Sequence, residues 1–320
     1  MSGIDTAKRK KRPGRSDPGR DAVTRKRLPF RSDPGRRVNL LTVPGWIWLI
    51  VVTQIPFVLT LILSFVNWNV RIPSIPIQFN GLDNYVFLFT SGEFYQVLRN
   101  TAVITVGGLA GSLVAAFLLA LAFNRTFPGI TPITSLLIIP YFVMEPVIGI
   151  VWKTLILSPS LGLNSALSRL LGIRAIDFFD SDHALGTVTF LVIWEWSPFL
   201  FLILLAGLKS LPDEIMEAAK VDGAGPLRRV LSLVIPLMRP YFKVAAVFGL
   251  INILKVFGII FVTTAGGPGI ASTNLPYYIY QTGFFNWEAG RSAAISVVTV
   301  ILTLIVINIY FHFQGDVRKR

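Results

Sequence analysis

Five residues carry most of the chemistry that this sequence offers inside its apolar stretches: Glu145, Trp194, Glu195, Asn252 and Lys255. Glu145 stands between Pro140 and Pro146, and Glu195 is flanked by Trp194 and Trp196. Lys255 follows Asn252 by three residues, which puts both on one face of a helix. Together they supply hydrogen-bond donors, acceptors and aromatic faces, the set that a polyhydroxylated ligand needs. A charge at the middle of a membrane helix costs about 2.5–3.5 kcal/mol, so such residues usually face a cavity or a partner. Two structural alternatives stand beside a ligand pathway: an ion pair of Glu145 with Lys255, or long side chains reaching to the lipid edge. Cysteine is absent, so disulfide and thiolate chemistry are excluded. The two histidines, His183 and His312, lie far apart, so neither a metal site nor a catalytic histidine pair is expected. No nucleotide-binding loop of the form G-x-x-x-x-G-K-[S/T] occurs, and no nucleophile–base constellation stands out. The chain is therefore not expected to be an enzyme, and another chain or an ion gradient must energise it.

The elements that position these residues are set by hydropathy. Hydrophobic residues make up 53% of the 320 and charged residues only 15%. Six near-continuous apolar runs cover residues 46–68, 101–123, 131–157, 185–208, 242–264 and 292–313. About 20 residues of helix cross the ~30 Å hydrocarbon core, so each run qualifies as a span. The expected fold is all-α, a polytopic membrane protein with six transmembrane helices. Of the 30 Lys and Arg, 22 fall on the side holding the N-terminus and five on the other; Lys153, Lys243 and Lys255 lie within or at the edge of spans. Cytoplasmic loops carry the cationic excess, which puts both termini and the loop at 209–240 in the cytoplasm and the loops at 69–100, 158–184 and 265–291 outside. The net charge of +13 thus reports topology, and no nucleic-acid partner is expected.

Residues 1–43 are rich in Arg, Lys, Pro and Gly and read as a disordered basic cytoplasmic tail, not a signal peptide. RSDPGR occurs twice in it, at 15–20 and 31–36, as a solvated turn sequence or as a contact for anionic lipid headgroups. Residues 44–316 form the membrane domain and 317–320 a short basic C-terminus. Pro56, Pro140, Pro146 and Pro198 are expected to kink their spans, and the small residues Gly107, Gly108 and Gly111 to bring one helix close to another.

The loop at 209–240 has its own grammar. Pro212 suits a first helical position, and Asp213 and Glu214 suit the first turn, where negative charge complements the helix dipole. Ile215, Ala218, Ala219 and Val221 can form one apolar face; Gly223, Gly225 and Pro226 then break the helix. A second short helix is expected from Pro226, ended by Pro236 and Pro240. Helices of about ten residues are marginal alone in water, so this knob needs a docking partner.

Glu217, Ala218 and Ala219, then Gly223, then Leu233, Val234, Ile235 and Pro236 resemble the E-A-A---G---------I-x-L-P loop of bacterial ABC importer permeases. Leu233 and Ile235 exchange the usual Ile and Leu, and Leu227 stands where an aromatic is common. The resemblance extends over nearly everything from Val43 onward. It implies a coupling-helix loop that docks into a cytoplasmic ATPase, with Glu217 as the polar contact, Ala218 and Ala219 as the close-packed face, and Gly223 as the turn. Asp222 and Pro236 complete that motif. Arg99, Asn100 and Thr101, Trp152 with Lys153, and Gly266, Gly267 and Pro268 are similar to the carbohydrate-uptake branch; six spans look like its glycerol-phosphate and polyol type, and the segments at 140–146, 194–199, 266–269 and 273–280 resemble sorbitol and mannitol permeases. The implied partners are a homologous second permease, two ATPase subunits, an extracytoplasmic solute-binding protein and membrane lipids. No cofactor is implied in this chain, ATP-Mg being used by the partner ATPases, and the implied location is the bacterial cytoplasmic (inner) membrane. The competing reading is an ion-coupled secondary transporter of a small polar solute, which calls for repeats; none is visible among the six runs.

Overall fold

A computed structural model describes residues 34–72, 74, 76–125 and 127–315 of the chain. The expected basic tail lies, for residues 1–33, outside them; helix α1 begins at Pro34 and runs to Leu63. A two-stranded antiparallel ladder follows, β1 (Val66–Asn67) with β2 (Gln78–Phe79), and then α2 (Asp83–Thr90). This small sheet and an isolated antiparallel bridge between Asn69 and Glu288 depart from an all-helical reading.

Among the described residues four helices are long and apolar enough to cross a membrane: Thr42–Leu63 within α1, α3 (Gly92–Phe123), α7 (Ala184–Lys209) and Ala289–His312 within α13 (Ala289–Gly315). The third expected span is not one helix. It divides into α4 (Ile130–Phe142) and α5 (Glu145–Ile156), bent by 99°. Pro146 has no N–H to return to the Phe142 carbonyl, so the helix cannot run through, and Val143 and Met144 are extended at the break. The fifth expected span, 242–264, is also corrected. Helix α10 (Arg239–Ile253) starts earlier, stops after 15 residues, and is followed across a four-residue break by α11 (Gly258–Thr263). Between α7 and α10 lie α8 (Asp213–Val221) and α9 (Pro226–Leu237), the latter bent by 69° from α10. Pro240, in the first turn of α10, cannot continue the ladder from α9. With each bent pair counted as one crossing, the total reaches six. The short α6 (Leu163–Leu171) and α12 (Leu275–Tyr280) sit in connections.

Helix α7 is the axis of the core. Leu191, Val192, Leu200, Phe201 and Leu204 along it are fully buried. It packs along α3, and the reason is the small-residue face: a Cβ on Gly107 would touch Thr189, one on Gly108 would touch Val192, and one on Gly111 would collide with Ile193. Below this contact Ala116, Phe117 and Ala120 of α3 join Leu204, Leu208, Met238 and Ala245 in one apolar cluster. A second cluster gathers Ile104, Val188 and Trp196 with Ile253, Val256, Ile259 and Ile260, so the α10–α11 break is packed against α7.

Candidate functional site

Two regions collect the singled-out residues. The first is the pair of interrupted helices. Glu145 opens α5, and its Oε2 accepts the N–H of Gly258 at 2.6 Å and of Phe257 at 3.1 Å, capping the N-terminus of α11. Lys153, two turns on, donates to the Val262 carbonyl near the other end of α11 at 3.3 Å. Each charge meets the helix end that its sign favours. Gly149 and Gly258 permit the close approach: a Cβ on Gly258 would stand 2.8 Å from Glu145 Cβ and 2.9 Å from Pro146 Cδ. The α5 and α11 half-helices are thus locked together.

That lock leaves no place for the alternative of an ion pair with Lys255. No ion pair joins Glu145 to Lys255; the ion pairs among the described residues are Asp180–His183 and Glu288–Arg291. Lys255 is exposed, and the Asn252 amide turns back to the Phe248 carbonyl at 2.8 Å. The Glu145 carboxylate is held by backbone N–H groups of the break, so its partner is the fifth segment's main chain, not its lysine. Glu195 behaves differently. It is 5% exposed and its Oε2 has no hydrogen-bond partner. Trp194 meets Trp152 edge to face at 5.4 Å. Tyr141 stacks on Phe199 at 4.7 Å and meets Trp196 edge to face at 5.6 Å. Glu145 and Glu195 therefore lie on the elements that meet at the α4–α5 break, with Tyr141, Trp194, Trp196 and Phe199 as an aromatic wall, whereas neither Asn252 nor Lys255 makes a side-chain bond to Glu145 or Glu195. A buried, unsatisfied carboxyl is expensive, and such groups inside a membrane domain mark functional positions.

The second region is the loop between α7 and α10. Pro212 precedes α8, and Asp213 and Glu214 occupy its first turn. The helix ends in a six-residue motif: Gly223 N–H bonds to the Lys220 carbonyl and Ala224 N–H to the Ala219 carbonyl, both at 3.0 Å, with Gly223 at φ +76°. Helix α9 then starts at Pro226 after Gly225. The expected single apolar face is divided. Met216 packs against the α3–α7 core and Ala219 is buried, while Ile215, Glu217, Ala218, Val221 and Asp222 are exposed. Pro236 does not end α9: a π turn at Val230–Val234 precedes it, the helix reaches Leu237, and the break falls at Met238. The most exposed large apolar side chains of this loop are Val221 at 88%, Leu227 at 70% and Leu231 at 56%.

Sequence reasoning missed the braces of the connection at 264–275. Asn100 donates to the Ile270 and Thr273 carbonyls at 2.9 and 3.1 Å, and Asn274 to the Val256 carbonyl at 2.6 Å. Thr101 Oγ1 accepts the Leu275 N–H at 2.9 Å. Asn100 and Thr101 were legible as polar residues opening an apolar run, but their partners lie more than 160 residues away.

Comparison with known proteins bears on both regions. Residues 107–319 match the family described as binding-protein-dependent transport system inner membrane component. The chain is 32% identical over 274 residues to the sulfoquinovosyl glycerol transport system permease protein SmoG of Agrobacterium fabrum, covering 85% of this chain and 88% of that one. It is 35% identical over 238 residues to the sn-glycerol-3-phosphate transport system permease protein UgpA of Yersinia pestis, covering 74% and 80%. A chain in the crystal structure of a bacterial alginate ABC transporter, in complex with an alginate pentasaccharide-bound periplasmic protein, shares the fold with a TM-score of 0.74 at 22% identity, covering 88% of this chain and 95% of that chain. The chain belongs to the binding-protein-dependent transport system inner membrane components, the permease subunits of ABC transporters.

Proposed function

We propose that this chain is one of two permease subunits of an ATP-driven importer, and that it forms part of the pathway for a sugar or sugar alcohol. The observation that carries this reading is the loop at α8–α9. A short acidic-capped helix turns at a left-handed glycine and presents Glu217, Ala218 and Val221 outward next to Leu227 and Leu231. Exposed apolar side chains on marginal helices call for a partner surface. In this reading that partner is one of two cytoplasmic ATPases, which hydrolyse ATP-Mg, and closure of the ATPases moves α8 and α9 as a lever on α10. In this reading the chain crosses a bacterial inner membrane six times with both termini in the cytoplasm, which the cationic excess on that side supports. A solute-binding protein delivers cargo at the outer connections. Relatives named for sulfoquinovosyl glycerol and glycerol phosphate, together with the aromatic wall around Glu195, support a polyhydroxylated cargo.

The competing reading, an ion-coupled secondary transporter, is not favoured by the family match. Vesicles carrying this chain with its co-expressed partner subunits separate the two. Uptake of labelled cargo is expected to require ATP, to ignore an imposed proton or sodium gradient, and to collapse in Glu217→Lys while membrane insertion stays normal. Gradient-driven uptake without ATP would overturn the proposal.

A further inference from the structure

Helix α13 is anchored at its start, where Ile295 and Val298 share an apolar cluster with Leu88, Phe94 and Val97. Toward its other end a cleft separates it from α3 and α10. One part, of about 510 Å³, lies among Leu113, Phe242, Ala246 and Ile309, and a second, of about 180 Å³, continues it toward Thr101 and Leu275. Leu250 and Val306 wall both parts, so the two form one groove. Thr101, Thr299 and Thr303 turn their hydroxyls to carbonyls of their own helices and leave this wall apolar. Carbon-lined walls with nothing between them forfeit dispersion contacts, so the groove calls for an apolar occupant.

The dimensions choose between a helix and a lipid chain. From Thr299 to Tyr310, α13 rises about 17 Å, little more than one leaflet of the ~30 Å hydrocarbon core. A helix of that length, with its side chains, fills about 1,300–1,900 Å³, well beyond the two parts together, whereas an acyl chain is one methylene wide. The mouth chooses the headgroup. Lys243 lines the groove near the start of α10, and Arg239 stands one turn before it. Tyr310 donates its hydroxyl to the Lys243 carbonyl at 2.7 Å, which ties α13 to α10 at this mouth. Among the described residues no acidic side chain lines either part. Basic pockets between membrane helices attract anionic lipid headgroups.

We propose that this groove holds one acyl chain of an anionic phospholipid whose phosphate sits beside Lys243. The proposed orientation puts that mouth in the inner leaflet, but lipid binding there does not depend on the transport reading. Native mass spectrometry of the detergent-solubilised full-length chain tests it, with dioleoyl phosphatidylglycerol as the probe. Dioleoyl phosphatidylcholine, with the same chains, and glycerophosphoglycerol, without chains, serve as comparators. The first phosphatidylglycerol is expected to bind saturably and about fivefold or more tighter than phosphatidylcholine, with no saturable binding of the chainless headgroup. Lys243→Gln should weaken it about fivefold, the worth of one cation near a membrane surface. Ala246→Trp, which fills the groove, should abolish the preference with melting temperature unchanged. If that variant fails to fold, Val306→Trp on the opposite wall should show the same loss. Equal binding of the two lipids, unchanged phosphatidylglycerol binding in the variants, or saturable binding of the chainless headgroup would each overturn the proposal. Loss of the bound lipid on co-expression with the second permease would give the groove to a partner helix and overturn it as well.

Discussion

At the scale of single residues, the informative contrast is between Glu145 and Glu195. Both are carboxylates set among apolar and aromatic neighbours, yet Glu145 is satisfied by two backbone N–H groups and Glu195 leaves an oxygen unpaired. Removing the Glu145 carboxylate strands the N–H groups of Phe257 and Gly258, a loss of about 1–3 kcal/mol. Glu145→Ala should therefore lower the melting temperature of the detergent-solubilised chain, while Glu145→Gln, which keeps an acceptor oxygen, should restore most of it. Lys255→Ala should be nearly neutral, and the double mutant Glu145→Ala/Lys255→Ala should equal the sum of the singles, because the two side chains share no contact. Partial recovery in the double mutant would show an ion pair between them. The sequence made Glu145 legible as costly but not as a cap: its acceptor geometry depends on a break more than 110 residues further along, which no local pattern reports.

At the scale of elements, the α8–α9 loop was the most legible part of the chain. Pro212, Asp213 and Glu214 mark one helix start, Gly223 its end and Pro226 the next start, and each falls where local backbone chemistry needs it. What stayed hidden was the sidedness of α8. Ala218 and Ala219 are neighbours in the same motif, yet one is exposed and the other buried, because successive helical residues are about 100° apart. Gly223 offers a clean test. No atom stands within 4 Å of where its Cβ would be, so any effect of substitution comes from the backbone at φ +76°. Gly223→Val should strain the turn by about 1–2 kcal/mol and uncouple ATP hydrolysis from uptake in proteoliposomes. Gly223→Asn, which tolerates the left-handed region, should retain most coupling. Equal loss in both variants would assign the defect to the surface and not to the turn. The broken spans were the least legible elements, since hydropathy averages over 20 residues and registers composition, not direction; only Pro140, Pro146 and Gly258 hinted at interruption.

For the whole molecule, the unpaired surfaces matter more than the core. Residues 54–63 of α1 are mostly exposed, with Ile55, Val58 and Leu59 each about half open, and Ile301, Leu304 and Ile309 of α13 are similarly bare. Lipid and a second permease would cover such apolar area in an assembled importer. The absence of cysteine makes each introduced thiol unique. A thiol at Leu161, 88% exposed, should react with an impermeant reagent added outside intact cells, and one at Leu227 only after permeabilisation. The reverse pattern would invert the proposed orientation. The most direct measurement of the central proposal is a cross-link from Val221→Cys in membranes where the chain is expressed with its ATPase partner. Val221 is 88% exposed at the end of α8, and a short bifunctional reagent there should capture the ATP-hydrolysing subunit, with a yield that changes on adding ATP. Capture of that subunit from Leu161→Cys, and none from Val221→Cys, would contradict it.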